Sequence, residues 1–134
     1  MIKIKNACES AEEDDGFRIL VEPSWPRGLS EEKAELDLWL KEISPPIELC
    51  RWFNQDSNGS RDSERWSEFQ RRYLEELKNK PTLISIIRDA EKKNGTVTLL
   101  YASEDEERNI AVVLRDKLMA YKVISNSVTR IHGA

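Results

Sequence analysis

Apolar and polar positions divide the chain into short strands and longer helices. MIKIK at residues 1–5 alternates apolar and charged side chains, which predicts a short edge strand. NACESAEEDDG, residues 6–16, is polar and acidic and predicts a loop. FRILV at 17–21 and VTLLY at 97–101 are nearly continuous apolar runs with β-branched members. Such runs suit strands covered on both faces.

Helical spacing fills the long interval between those strands. Ser30 is a good N-cap, and Glu31 and Glu32 sit in the first turn, where the helix dipole favours anions. Leu36, Trp39, Leu40 and Ile43 follow at helical intervals, with Lys33 and Asp37 paired at i,i+4. One helix from Ser30 to Ile43 is expected, stopped by Ser44-Pro45-Pro46. A short helix is predicted from Ile47 to Phe53, then a polar loop at 54–63. Trp66, Phe69, Tyr73 and Leu77 form the next stripe, and Leu83, Ile86, Ile87 and Ala90 another, opened by Pro81-Thr82 and closed by Asn94-Gly95. Ser103-Glu104-Asp105-Glu106 matches a capping box for a helix carrying Ile110, Val113, Leu114, Leu118 and Tyr121. The tail, 122–134, holds a candidate strand at Val123-Ile124 or Val128 to Ile131. Buried strands separated by several helices imply an α/β layered domain. Its sheet should be short and mainly parallel, of three or four strands, and flanked by helices.

Length and charge narrow the picture. The 134 residues suit a single domain spanning 1–134, with no repeat, low-complexity tract or linker. A domain of this size buries roughly 65–70% of its unfolded surface, so neither a metal nor a disulfide is needed to fold it. With 21 basic and 25 acidic residues, the net charge of -4 lacks the footprint of a nucleic-acid binder. That class would require Arg61, Arg65, Arg71 and Arg72 to line one surface. Cys8 and Cys50 show no metal-ligand spacing and are expected to be free thiols. Without an apolar leader or an 18-residue apolar run, a cytoplasmic protein with no membrane partner is expected.

Ligands of open parallel sheets bind beyond the carboxyl ends of the strands. Strand 17–21 ends in Glu22 and Trp25-Pro26-Arg27-Gly28, and strand 97–101 in Tyr101-Ala102-Ser103-Glu104-Asp105. If the strands are parallel neighbours, these turns converge. Arg27 would then clamp a carboxylate or phosphate, and Gly28 would admit close backbone approach. The helix start at Ser103 would offer N–H groups. Trp25 and Tyr101 would form walls, and Glu22 or Asp105 would be the candidate base. Packing explains the same residues differently: Trp25-Pro26 as a plug on the core, Arg27 bridged to Asp37 or Glu22, Tyr101 in the core, Asp105 as a first-turn dipole residue. Trp39, Trp52 and Trp66 fall in or beside packing stripes, with Trp52-Phe53 the best placed of them to meet a ligand.

Several chemistries find no support. His132 is the only histidine and lies near the C-terminus, which argues against a buried Ser-His-Asp or Cys-His set. No His/Cys cluster suggests a metal, and neither glycine-rich phosphate loop is present. No cofactor is expected.

DGFRILVEPSWPRGLSEEKAELDLWLKEISP, ELCRWF, RWSEFQRRYLEEL and GTVTLLYASEDEERNIAVVL together resemble the YeaO-like family, a domain of unknown function, across about residues 15–119. The resemblance implies a small α/β domain and brings no activity. It carries over Trp25, Pro26, Arg27, Gly28, Asp37, Trp52, Phe53, Tyr101, Asp105 and Asn109, and thereby adds Asn109 to the ligand-binding set. Members usually read VDRLWPRG where this chain has VEPSWPRG, so Glu22 keeps the carboxylate while Pro23 replaces an arginine. Gln55 stands where members often carry a histidine, and Arg108 and Glu104 stand where they tend to carry a histidine and a lysine. A member lacking those groups is expected to bind without catalysing if the family's chemistry needs them.

The resulting expectation is a site for a small anionic or nucleotide-like ligand at the sheet's carboxyl edge. Any reaction there would be carboxylate-assisted hydrolysis or group transfer. The alternative is a non-enzymatic interaction or regulatory module, with Trp52 and Phe53 exposed on one face.

Overall fold

The computed structural model describes residues 1–55 and 63–120. The expectations placed on Arg61 and most of the polar loop 54–63, on Tyr121, the tail strand and His132 lie outside them. Strands β1 (Ile2–Asn6), β2 (Phe17–Leu20), β3 (Leu38–Trp39) and β4 (Val97–Tyr101) form one sheet in the order β1-β4-β2-β3. All three pairings are parallel, so the expected α/β domain with a short parallel sheet is present. Helices α1 (Glu31–Ala34), α2 (Ile47–Asn54), α3 (Ser63–Leu77) and α4 (Pro81–Asn94) precede α5, which covers residues 110–120. Short 3-10 turns occupy Glu13–Asp15 and Lys41–Ile43.

β4 is one of the two inner strands and is buried along its whole length. Side chains on successive strand residues leave opposite faces, and the packing divides accordingly. Ile19, Val21, Val97, Leu99 and Tyr101 join the main core with Phe53, Phe69, Tyr73, Leu77, Ile87, Val113, Leu114 and Leu118. Leu20 and Leu100 face a smaller cluster with Ala7, Leu29 and Ala34, against which Trp25, Leu36 and Trp39 pack. The α3 stripe falls on the core as its spacing predicts, as do Ile110, Val113, Leu114 and Leu118 of α5, but in α4 Ile86 is exposed and Ile84 packs with Leu83, Ile87 and Ala90 instead. Tyr73 adds a polar tie, its hydroxyl donating to the Ile43 carbonyl at 2.7 Å.

Three local expectations are corrected. The helix expected from Ser30 to Ile43 lasts one turn, with Ser30 accepting from the Lys33 N–H as its cap, and ends at Glu35, whose φ is 45°. The chain then runs extended along the free edge of β2. The Asp37 N–H donates to the Arg18 carbonyl at 2.9 Å, and the Leu40 N–H to the Leu20 carbonyl at 2.9 Å. Leu36, Leu38 and Leu40 also alternate at period two, and the unmet hydrogen-bonding groups of β2 decide in favour of the strand. Asp37 therefore does not pair with Lys33 along a helix; its carboxylate accepts from the Arg18 N–H at 2.8 Å.

The second correction concerns the capping box. The helix begins at residue 110, and Asn109 is its cap, with Oδ1 accepting from the Val112 N–H at 3.0 Å. Ser103 and Asp105 instead stabilise the preceding turns. Ser103 Oγ accepts from the Asp105 N–H, and Asp105 Oδ1 accepts from the Glu107 and Arg108 N–H groups. The third concerns the acidic loop, which delivers Asp15 to a buried pairing with Arg18 at 2.5 Å.

Pairing of Leu20 with Leu100 continues past the strand ends, where the Val21 N–H donates to the Leu100 carbonyl. The turns after β2 and β4 therefore leave the same rim of the sheet. Among the described residues, no helix is long and apolar enough to cross a membrane.

Candidate functional site

A cavity of about 650 Å³ opens at that rim. Glu22, Pro23 and Ser24 line it from the turn after β2, and Ala102, Ser103, Glu104, Arg108, Asn109 and Ile110 from the turn after β4. Helix α2 supplies the opposite wall. Ile47, Cys50, Arg51 and Asn54 recur at intervals of three and four, so one helical face is turned to the cavity. Phe53 and Phe69 complete the apolar floor. Their rings stack at 4.5 Å, and both are buried.

The two turns are joined by a hydrogen bond at the mouth of the sheet. The Ala102 N–H donates to Glu22 Oε1 at 2.8 Å. Glu22 is half-buried, and burial pushes its carboxyl above the usual value, an effect the Ala102 N–H partly offsets. Cys50 faces the same space; burial and then the Glu22 charge push its thiol up to about 11. Its Sγ lies 3.9 Å from the Pro45 carbonyl, a weak donor contact. A thiol so placed is protonated at neutral pH and is a poor nucleophile.

Of the residues expected here, Glu22, Ser103 and Asn109 line the cavity. Trp25, Arg27, Gly28, Tyr101 and Asp105 do not. Trp25 packs edge-on against Trp39 with centroids 5.5 Å apart, and donates its indole N–H to the Leu29 carbonyl at 2.6 Å. It covers the smaller cluster, as the packing alternative holds. Arg27 and Gly28 are exposed, and a Cβ built on Gly28 would meet nothing within 4 Å. The φ of 77° at Gly28 serves the turn and no close approach. Tyr101 is 5% exposed and belongs to the core, its phenol raised by burial and then by the charges of Glu106, Glu9 and Asp105.

Sequence reasoning missed Cys50, Arg51 and Asn54 as lining residues. The signal was the mixed polar face of α2, at the same spacing as its buried face. Among the described residues no cluster of His, Cys, Asp or Glu could hold a metal.

Burial of Glu22 gives a testable sign. Its folded-state pKa is raised, so the charged form opposes folding at neutral pH, and the cost fades as pH falls through that value towards 4.5. Glu22→Gln retains an acceptor for Ala102 and is expected to stabilise the protein by about 1 kcal/mol at neutral pH. The gain should vanish in acid. Urea unfolding across pH checks this; a variant less stable than the parent at neutral pH would contradict it.

Comparison with known proteins gives a consistent family. The model for DUF488-N3i, described as the inactive DUF488-N3 subclade, matches residues 1–126. The uncharacterised protein YeaO of Escherichia coli K12 is 36% identical over 117 residues, covering 87% of this chain and 96% of YeaO. The uncharacterised proteins Mb3100c of Mycobacterium bovis and Rv3073c of Mycobacterium tuberculosis H37Rv are each 30% identical over 119 residues, covering 87% of this chain and 92% of theirs. The expected likeness to YeaO-like proteins is thereby borne out. No solved structure matches.

Proposed function

The chain belongs to DUF488-N3i, the inactive DUF488-N3 subclade, and from that premise we propose that it is a cytoplasmic domain that binds a small anionic ligand without transforming it. The observation that carries this reading is the cavity whose lining combines two guanidinium-bearing residues, Arg51 from α2 and Arg108 from the turn after β4, with an apolar floor. Arginine suits carboxylate and phosphate through its fork of donors. The cavity volume falls within the ~300–1,000 Å³ of small-molecule sites.

Three features favour binding over catalysis. Glu22 already accepts the Ala102 N–H. Cys50 keeps its proton. The subclade itself is described as inactive. Free thiols at Cys8 and Cys50 suit a reducing compartment.

A tryptophan-lined partner surface has less support. Phe53 is buried, and Trp52 lies with the Arg65 and Arg72 guanidiniums 4.5 and 4.7 Å from its ring centroid. Those contacts, with Arg71 and Arg72 bound to Glu68, also engage the arginines a nucleic-acid surface would use.

Titration calorimetry with inorganic phosphate and adenosine 5′-monophosphate tests the proposal. Arg51→Ala and Arg108→Ala are each expected to weaken binding about five- to tenfold. Arg27→Ala, altered at an exposed position off the cavity, should match the parent. Equal affinity in all four proteins, or no binding to the parent, would remove the proposal.

A further inference from the structure

The cavity lining carries one carboxylate among its buried and half-buried apolar residues and two guanidiniums elsewhere, and this narrows the ligand further. Its inner wall holds the buried Phe53, Phe69, Asn109 and Ile110 and the half-buried Cys50 and Glu22. Glu22 is the one carboxylic side chain among these. Its outer part holds the exposed Arg51, Asn54, Gln55 and Glu104, with Arg108 half-buried. Glu22 thus sits deeper than the exposed Arg51, while Arg108 is half-buried like Glu22 and approaches the cavity from the turn after β4.

Glu22 keeps acceptor capacity. Oε1 takes the Ala102 N–H, while Oε2 accepts no hydrogen bond from a described residue. The thiol of Cys50 and the phenol of Tyr73, the titratable groups whose protons Glu22 influences from α2 and α3, are both held neutral by burial. Neither supplies a counter-charge. A half-buried carboxylate with one oxygen unmet by the described residues gains from a second donor.

Resting on the reading of the cavity as an anion site, we infer that its ligand is amphoteric. An N–H donor or ammonium end is directed inward to Glu22 Oε2, and a carboxylate or phosphate is left outward at Arg51 and Arg108. The body between them is apolar or aromatic and lies over Phe53, Ile110 and Ile47. Glu104, exposed on the same lining, opposes an anionic outer group, and the two guanidiniums must outweigh it.

Calorimetric titration at neutral pH with four probes separates the parts. Adenosine 5′-monophosphate and phenylalanine carry both ends, with phosphate and carboxylate respectively; adenosine lacks the anion, and inorganic phosphate lacks the donor and the body. At least one two-ended probe is expected to bind about tenfold more tightly than adenosine and than phosphate. Glu22→Gln should weaken that probe about tenfold and leave phosphate unchanged, while its urea midpoint shows it folded. Which two-ended probe prevails identifies the outer group. A two-ended probe no tighter than phosphate overturns the inference, as does a folded Glu22→Gln variant with parental affinity. In either case arginine-dependent phosphate binding would leave the anion site standing. No binding by any probe would remove both.

Discussion

Asp15→Ala is expected to lower the unfolding free energy by about 3–5 kcal/mol, the cost of leaving a buried charge without its partner. Asp15 and Arg18 are 1% and 3% exposed. Arg18 Nη1 donates to Asp15 Oδ2 at 2.5 Å, and Lys5 approaches the same oxygen at 3.2 Å. The other Arg18 donors are committed to the Ala34 and Glu35 carbonyls at 2.9 and 3.1 Å. Alanine removes the only carboxylate facing that guanidinium among these contacts. Asp15→Asn keeps the shape and an acceptor, and its cost should be about 1.5–3 kcal/mol. Against a total stability of ~5–15 kcal/mol, either loss is large. Urea denaturation measures both. A cost below about 1 kcal/mol for Asp15→Ala would mean that the pairing contributes little.

The same carboxylate sets an acid limit. Burial raises the Asp15 pKa, but the Glu12 N–H, Lys5 and Arg18 outweigh it, and the net shift is downward from 3.8. A carboxyl depressed in the folded state stabilises above its unfolded value, and this contribution is lost as pH falls through the folded value. The gap between parent and Asp15→Asn should therefore be full at neutral pH and narrow below 3.8. Glu22 has the opposite sign. Acidification thus relieves strain at the cavity before it weakens the Asp15 cluster at the far side of the sheet.

Legibility in the sequence follows how many physical constraints act on each residue. FRILV and VTLLY read as strands because they are short, hold β-branched and aromatic residues and follow Gly16 and Gly95 closely, and both are strands of the sheet. The convergence of the turns after them followed from parallel pairing, and the Glu22–Ala102 hydrogen bond realises it. Leu36 to Leu40 satisfied two periods at once, and only the unpaired edge of β2 chose between them. SEDEERN holds three cap formers, and Asn109 wins because a helix beginning at 110 buries Ile110, Val113, Leu114 and Leu118 without a wasted turn. Arg18, a charge inside the apolar run FRILV, went unread; a buried arginine needs a partner, and the acidic loop supplies it in Asp15. At the site, Arg27 drew notice as a cation beside aromatic and turn residues, yet its loop turns it outward. Of the cavity's own arginines, Arg51 lies on the mixed polar face of α2, passed over in sequence reasoning, and Arg108 in a pre-helix turn whose direction no local pattern declares.

Gly16→Ala is the substitution expected to disturb the sheet and the cavity together. Gly16 has φ 64° and ψ −134°, a conformation that side-chain-bearing residues rarely adopt. A Cβ there would lie 2.2 Å from the Thr96 carbonyl oxygen and 2.8 Å from its carbon. That oxygen accepts the Phe17 N–H at 2.9 Å and so begins the pairing of β2 with β4. Backbone must move to admit a methyl group, and the movement falls on the first rung of the ladder whose far end aligns Glu22 with Ala102. A cost of about 2–4 kcal/mol is expected, the sum of the unfavourable dihedral and the displaced rung. Gly28→Ala is the control: its φ is 77° but its surroundings are open, so only the dihedral is felt, at about 1 kcal/mol. Urea midpoints at equal m-values separate the two. Equal costs would show that close approach to Thr96 does not constrain Gly16. A larger cost at Gly16, accompanied by weaker ligand binding in the folded fraction, would tie the geometry of the cavity mouth to the strand register at the opposite end of the sheet.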